Sequence, residues 1–173
     1  MNPTAIRPAT ADDLPGILAI YNDVIATSTA VFSLDPVTLD DRRAWFAARQ
    51  RAGFPVLVAE RDGTVAGFAS FGEFRGAWHG YRYSVEHSVH VRQDCRGQGL
   101  GGALVTALFA PALALQKHVM IGGIDAANEA SLRLHEKLGF ERVAHFREVG
   151  HKFGRWLDLV FVQRLLDGPG AKR

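Results

Sequence analysis

The segment Arg96-Gly97-Gln98-Gly99-Leu100-Gly101-Gly102 constrains this chain more than any other. It lies between a run rich in β-branched and aromatic residues and a stripe of leucines, so a strand, a glycine turn and a helix must follow one another. In that order the first N–H groups of the helix and the positive end of its dipole converge where a phosphate is stabilised. Glycine suits such a turn because a Cβ would hold the anion off the backbone and disfavour some of the φ values required. A tight turn with glycines for packing is the plain alternative. Gly97, Gly99 and Gly102 also satisfy G-x-G-x-x-G, and Asp125 stands near the distance expected of a ribose partner. Three features oppose a dinucleotide-binding fold: polar Gln93, Asp94 and Arg96 before the turn, an antiparallel-looking meander upstream, and only 173 − 102 = 71 residues downstream. A doubly wound sheet needs more chain than that. Arg96 at the mouth of the turn suits a ligand rich in phosphate charge.

The rest of the chain is punctuated clearly. A short strand at 5–7 precedes Thr10 and Asp13, spaced as a capping box, and Leu14, Ile17, Leu18, Tyr21 and Ile25 recur at helical spacing. Thr38 and Asp41 repeat the start signal before Trp45 and Phe46, and Gly53 closes a second helix. Runs 54–61 and 65–74 read as strands joined by Asp62-Gly63, a strong hairpin signal, and 81–91 reads as a third strand. The helical pattern at 99–115 contains Pro111, which should kink or split it. A strand at 118–124, a helix at 128–138 ending at Gly139, and strands at 140–149 and 156–164 complete the order βααβββαβαββ. The expectation is an α/β (α+β) fold with a mixed, mostly antiparallel sheet of about seven strands flanked by helices.

Length and composition set the class. At 173 residues, 47% hydrophobic, the chain is one globular domain, expected over 1–166 with a flexible Gly/Pro-containing tail at 167–173. Folding at this length buries roughly 70% of the unfolded surface, enough for a core without disulfides. A net charge of +2 without a basic stripe gives no reason to expect nucleic acid, and no segment reaches membrane-spanning length. One cysteine, Cys95, and no apolar leader point to the cytoplasm. The seven histidines show no metal-ligand spacing, so no metal is expected.

Arg96-x-x-Gly99-x-Gly101 resembles the [QR]-x-x-G-x-[GA] signature of the GNAT N-acetyltransferase superfamily. Asn128-x-x-Ser131-x-x-Leu134-His135-x-Lys137-x-Gly139-Phe140 resembles that superfamily's second motif, in register. Within it, the segments at 85–91, 134–136 and 151–158 are similar to the phosphinothricin and methionine sulfoximine N-acetyltransferase branch. The resemblance implies the GNAT fold, acetyl-CoA as donor and an acceptor such as L-methionine sulfone, L-methionine sulfoximine or phosphinothricin. It also implies direct transfer in a ternary complex, and a homodimer in which the hairpin at 151–158 lies near the interface.

The same resemblance assigns roles. The loop Arg96, Gly97, Gln98, Gly99, Leu100, Gly101 and Gly102 would hold the pyrophosphate of coenzyme A. Backbone N–H groups of Val89, His90 and Val91 would face the thioester, and Asn128 and Ser131 would bond the pantetheine amides or cap their helix. Glu86, the one carboxylate in its strand, would act as general base, its pKa raised by burial. His135 stands where many members carry a tyrosine that protonates the leaving thiolate, and imidazole can do the same near neutral pH. The acceptor side is read from chemistry instead: an amino-acid substrate carries a carboxylate best clamped by arginine, and Arg75, in the loop with Gly76 and Ala77, is the preferred clamp. Arg82, on the Glu86 face of an extended strand, would serve instead as clamp or as partner of the base. Phe32, Tyr83, His87 and Ser88 would complete the acceptor site. Trp156 is an interface anchor or a core residue. Two other readings remain: acetylation of a protein N-terminus or lysine, and a non-catalytic acyl-CoA-binding module, which the retention of Glu86 opposes.

Overall fold

Asp62 and Gly63 both adopt positive φ, 50° and 72°, and Arg61 pairs with Thr64 across them. This is the two-residue turn whose twist matches that of paired strands, and it sets the register of β2 (Val56–Arg61) against β3 (Thr64–Glu73). The structure, a computed structural model, describes residues 4–166; the expected tail at 167–173 lies outside them. Seven strands are hydrogen-bonded in the order β1-β2-β3-β4-β5-β7-β6. The remaining strands are β1 (Ala5–Pro8), β4 (Ser84–Val91), β5 (Val119–Asp125), β6 (Glu141–Lys152) and β7 (Arg155–Leu165). The β4–β5 pair is parallel, and the β1–β2, β2–β3, β5–β7 and β6–β7 pairs are antiparallel.

The helices are α1 (Leu14–Thr27), α2 (Leu39–Arg51), α3 (Leu100–Ala107), α4 (Phe109–Ala114) and α5 (Glu129–Lys137). Both expected capping boxes form, at Thr10/Asp13 and Thr38/Asp41; the first opens a single turn, Ala11–Asp13, ahead of α1. Gly53 ends α2 and Gly139 ends α5 by one arrangement. The glycine N–H bonds the carbonyl three residues back (Gln50, Glu136), and the next N–H bonds the carbonyl five back (Arg49, His135). Pro111 splits the single helix expected at 99–115, and the break falls ahead of the proline. Its ring collides with the carbonyl four residues earlier, that of Ala107, which is where α3 ends.

Contacts gather the described chain into two units. One holds the chain up to Phe71 with Ser88–Leu108; the other holds Gly72–His87 with the chain from Phe109 onward. In the first, Leu14, Ile17 and Ile20 of α1 and Phe46 of α2 pack on Val56, Val58 and Phe68. In the second, Met120, Leu132, Phe140, Leu157, Val160 and Val162 are buried. The strand expected at 81–91 starts only at Ser84. His79–Tyr81 instead form a 3-10 turn closed by Arg82 N–H to His79 O at 3.1 Å, with Tyr81 edge-on to Phe74 at 5.7 Å. Among the described residues no helix is long and apolar enough to cross a membrane.

Candidate active site

The glycine turn is held from beneath. Leu100 and Cys95 are buried with Ala66, and Val91 packs against them. Arg96 Nε donates to the Val91 carbonyl at 3.0 Å, and Gln98 accepts from Arg61 Nη1 at 2.5 Å and donates to the Asp94 carbonyl at 3.3 Å. Gly99 sits in the left-handed region, φ 81°, as the residue preceding α3. That geometry strains any residue with a Cβ, and a branched one most. Among the described residues, no atom beyond the adjoining backbone lies within 4 Å of where a Cβ would stand on Gly97, Gly99 or Gly102. The turn therefore keeps an open surface over its backbone. Ala103 is the first residue whose N–H bonds back into α3, to Gly99 O at 3.0 Å, so the earlier N–H groups of the helix have no intrahelical acceptor. An anion is the natural partner of such an end. Cys95 is part of this footing, with its sulfur accepting from Arg92 at 3.4 Å; that supporting role was not evident from the sequence.

Strand β4 carries both kinds of chemistry along one stretch of backbone. Val85 and His87 are buried while Glu86 and Ser88 reach solvent, as period two requires. His90 is buried on the other parity, edge-on to Tyr21 at 5.5 Å and against Phe68 at 5.2 Å. Its ring is core, so the part of the Val89–Val91 segment left for a ligand is backbone. Desolvation, together with the positive charge of Arg42 and Arg96, pushes the His90 imidazole down to about 4, leaving it neutral.

Glu86 faces Gly123 of β5, where an added Cβ would lie 3.3 Å from Glu86 Oε1. The carboxylate stays accessible, yet enough protein surrounds it to strip part of its water, and this desolvation raises its pKa above the usual carboxylate value. Among the described residues it has no ion-pair partner. Arg82 does not supply one: it lies before the strand, donates to the His79 carbonyl and stacks on Tyr83 at 4.4 Å. The expected Arg82–Glu86 face-sharing fails because it required the strand to reach Arg82.

His135 and His87 depart further from expectation. The resemblance placed His135 as a proton donor to a ligand, but it is only 2% exposed. Its Nε2 lies 2.9 Å from Nε2 of His87, and its Nδ1 lies 2.7 Å from the Ser131 carbonyl and 3.5 Å from Ser131 Oγ. His87 Nδ1 donates to the Ile121 carbonyl at 2.8 Å. Both ring nitrogens of each are engaged inside the protein, and each side chain is drawn into the apolar layer around Phe140. Loss of water pushes both imidazoles below their usual range. Gly122 is what admits His87: a Cβ there would stand 2.7 Å from its Cε1. The His87–His135 pair was not legible in the sequence, since nothing in a spacing of 48 residues signals contact.

The remaining positions are placed as follows. Asn128 Oδ1 accepts from Ser131 N–H at 3.1 Å, so Asn128 caps α5 and Ser131 stands half-buried beside it. Arg75 is exposed with φ 51°, and its guanidinium lies over Trp78 at 4.8 Å and Tyr81 at 5.5 Å. No protein carboxylate pairs with it among the described residues, so its N–H groups remain for a ligand. Gly76 lies against the Glu73 carboxylate; Ala77 and Tyr83 are exposed, and Phe32 is a half-buried loop residue. Trp156 is 64% exposed and edge-on to His151, which removes the core alternative. Gly154 takes the positive φ expected of that turn, 71°. Among the described residues no three or more His, Cys, Asp or Glu side chains converge as a metal site would require.

A glycine turn open over the N-terminus of α3 is an arrangement for holding an anion. The acetyltransferase (GNAT) family model matches residues 17–140. The chain belongs to the GNAT acetyltransferase family. It is 52% identical to the L-methionine sulfoximine/L-methionine sulfone acetyltransferase of Pseudomonas paraeruginosa, over 94% of this chain and 95% of that protein. Among solved structures it resembles the GNAT superfamily phosphinothricin acetyltransferase of Sinorhizobium meliloti in complex with acetyl-CoA. That likeness has a TM-score of 0.92 and 34% identity, covering 98% of this chain and 92% of that one. It is also similar to a ribosomal-protein-alanine N-acetyltransferase of Brucella melitensis, with a TM-score of 0.91 and 48% identity over 93% and 99% of the two chains. The seven-strand sheet and its helices are those of a GNAT acetyltransferase.

Proposed function

We propose that this GNAT acetyltransferase transfers the acetyl group of acetyl-CoA to the α-amine of small amino-acid analogues of the methionine sulfoximine, methionine sulfone and phosphinothricin type. The observation that carries the reading is Glu86: an accessible carboxylate of raised pKa, without an internal partner, on the strand that leads into the glycine turn. A base must meet an ammonium group while still ionised, and a raised pKa brings its proton affinity closer to that of the amine. The near full-length relation to the Pseudomonas enzyme supports the substrate class.

In this reading the N–H groups at residues 97–102 and the Arg96 guanidinium hold the pyrophosphate of the donor. Backbone N–H groups of Val89, His90 and Val91 orient the thioester carbonyl, and donors directed at a developing oxyanion contribute several kcal/mol, roughly 2.7–4 for one donor. Glu86 takes a proton from the acceptor ammonium, directly or through one water, freeing the amine for attack. Ser131 and Asn128 border the pantetheine, and with His135 buried, the proton for the departing thiolate comes from a group other than its ring. Arg75 holds the acceptor carboxylate by paired N–H donors, with Gly76, Ala77, Tyr83, Ser88 and Phe32 shaping its surroundings and His87 contributing only main chain.

Free-thiol release from acetyl-CoA, measured with methionine sulfone, methionine sulfoximine, phosphinothricin, natural amino acids and a short alanine-starting peptide, tests the reading. Release confined to the amino-acid analogues supports it; release with the peptide alone replaces it by protein N-terminal acetylation, which the resemblance to the Brucella enzyme favours. Arg75→Ala should raise KM for the analogues by about 10-fold or more with little change for acetyl-CoA.

A homodimer in the cytoplasm belongs to the same proposal. Exposed Phe146, Val149, Phe153 and Trp156, on β6, β7 and the turn between them, support the first, and the single cysteine supports the second. Sedimentation of Trp156→Glu, expected as a monomer, checks the dimer.

A further inference from the structure

The buried imidazoles of His87 and His135 present a proton-counting problem. Carbonyl oxygens only accept hydrogen bonds, so the 2.8 Å contact of His87 Nδ1 with Ile121 O and the 2.7 Å contact of His135 Nδ1 with Ser131 O each require a proton on the nitrogen. A neutral imidazole has only one N–H. If both rings are neutral with Nδ1 protonated, their two Nε2 lone pairs face each other at 2.9 Å, a hydrogen-bonding distance with no hydrogen in it. A third proton between the Nε2 atoms satisfies all three contacts.

We propose that His87 and His135 form one titrating unit that holds a third proton between their Nε2 atoms and releases it through Ser131. When that proton is lost, one Nδ1 must become an acceptor, and only at His135 does a second donor stand by: Ser131 Oγ, 3.5 Å from His135 Nδ1. The two-proton state then runs in one direction. Ser131 Oγ–H donates to His135 Nδ1, His135 Nε2–H donates to His87 Nε2, and His87 Nδ1–H donates to Ile121 O. The balance is one proton: it departs from His135 Nδ1 past half-buried Ser131, leaving two protons on the pair and no net charge.

The surroundings leave the unit to itself. Around the rings stand Phe140, with Phe109 of α4 behind it, Gly122 of β5 and the Val162 side chain of β7. The charged groups on these elements have other surroundings: Asp125 of β5 accepts from Ala127 N–H at 3.0 Å, Glu129 of α5 pairs with Arg133, Asp158 of β7 pairs with His145, and Arg155 is exposed. Glu86 occupies the opposite face of β4, Arg164 of β7 lies over Phe109 and bonds the Leu138 carbonyl, Glu136 of α5 pairs with Arg142, and Lys137 is exposed. Burial opposes the added charge, and three well-placed hydrogen bonds favour it. The proposal does not depend on which amine the enzyme acetylates.

Imidazole ¹⁵N–¹H spectra of the ¹⁵N-histidine-labelled, ligand-free enzyme decide it. The expected result is three exchange-protected ring protons on the pair at the acid end of the range in which the enzyme stays folded, two of them on Nδ1 atoms, and two at pH 9, with both histidines reporting one shared midpoint below the usual imidazole range. Two protons on the pair at every pH from 9 down to acid unfolding, or separate midpoints, overturn the shared unit. Ser131→Ala, read by the same spectra, removes the donor that stabilises the two-proton state. Its midpoint should therefore rise, by about half to one pH unit if one neutral hydrogen bond is lost. An unchanged or lowered midpoint overturns the route through Ser131.

Discussion

The two halves of β4 do different work. From Ser88 to Val91 the strand contributes backbone: the His90 and Val91 side chains face protein, Val91 O anchors Arg96, and the adjoining turn offers N–H groups over open space. From Ser84 to His87 it contributes side chains whose behaviour is set by what surrounds them: Glu86, raised by partial loss of water, and His87, sealed against His135. Backbone chemistry tolerates almost any side chain that leaves the conformation alone. Side-chain chemistry depends on atoms and on water, and shifts when either changes.

Substitutions can break this contrast, beginning with the largest expected effect. Glu86→Gln should lower kcat/KM by about 100- to 10,000-fold, the range for loss of a general base, with the acetyl-CoA dissociation constant nearly unchanged. In the wild type, activity should fall as pH drops through the raised carboxyl pKa, because the protonated carboxyl cannot accept the ammonium proton. That acid limb should vanish in the variant, and an unaltered pH–rate profile would exclude Glu86 as base. Leu104→Ala, at a fully buried position of α3, should cost about 2–5 kcal/mol of stability in a denaturant titration. Acetyl-CoA affinity should fall with it if the loop depends on that footing.

Gly99→Val should weaken acetyl-CoA binding on the order of 100-fold, through strain at a positive φ and the covering of the turn. Calorimetric binding at wild-type affinity would contradict the backbone role. The smallest effect sharpens the contrast from outside it. Gly63→Ala strains a positive-φ hairpin residue whose new Cβ would meet, among the described residues, no atom within 4 Å beyond its chain neighbours. It should cost about 1 kcal/mol of stability and leave kcat/KM unchanged.

The legibility of the chain follows the same division. Asp62-Gly63, the two capping boxes, Gly53, Gly139 and the turn at Gly99 were readable because each is decided within a few residues by φ preference and local hydrogen bonding. Pro111 splits its helix as expected, for the same local reason. One local reading missed: residues 81–83 turn rather than extend, with Tyr81 edge-on to Phe74.

Local sequence determined the order of elements, the turns and the open backbone of the glycine loop, since backbone sterics and short-range hydrogen bonds are complete within a few residues. Tertiary structure alone decided the fate of the ionisable side chains. It left Glu86 without an ion pair among the described residues, put Gly122 where His87 needs room, and brought His135 2.9 Å from a histidine 48 residues away. The physical reason is that proton affinity is a property of the surrounding dielectric and of partners, and those partners arrive only when distant strands and helices pack.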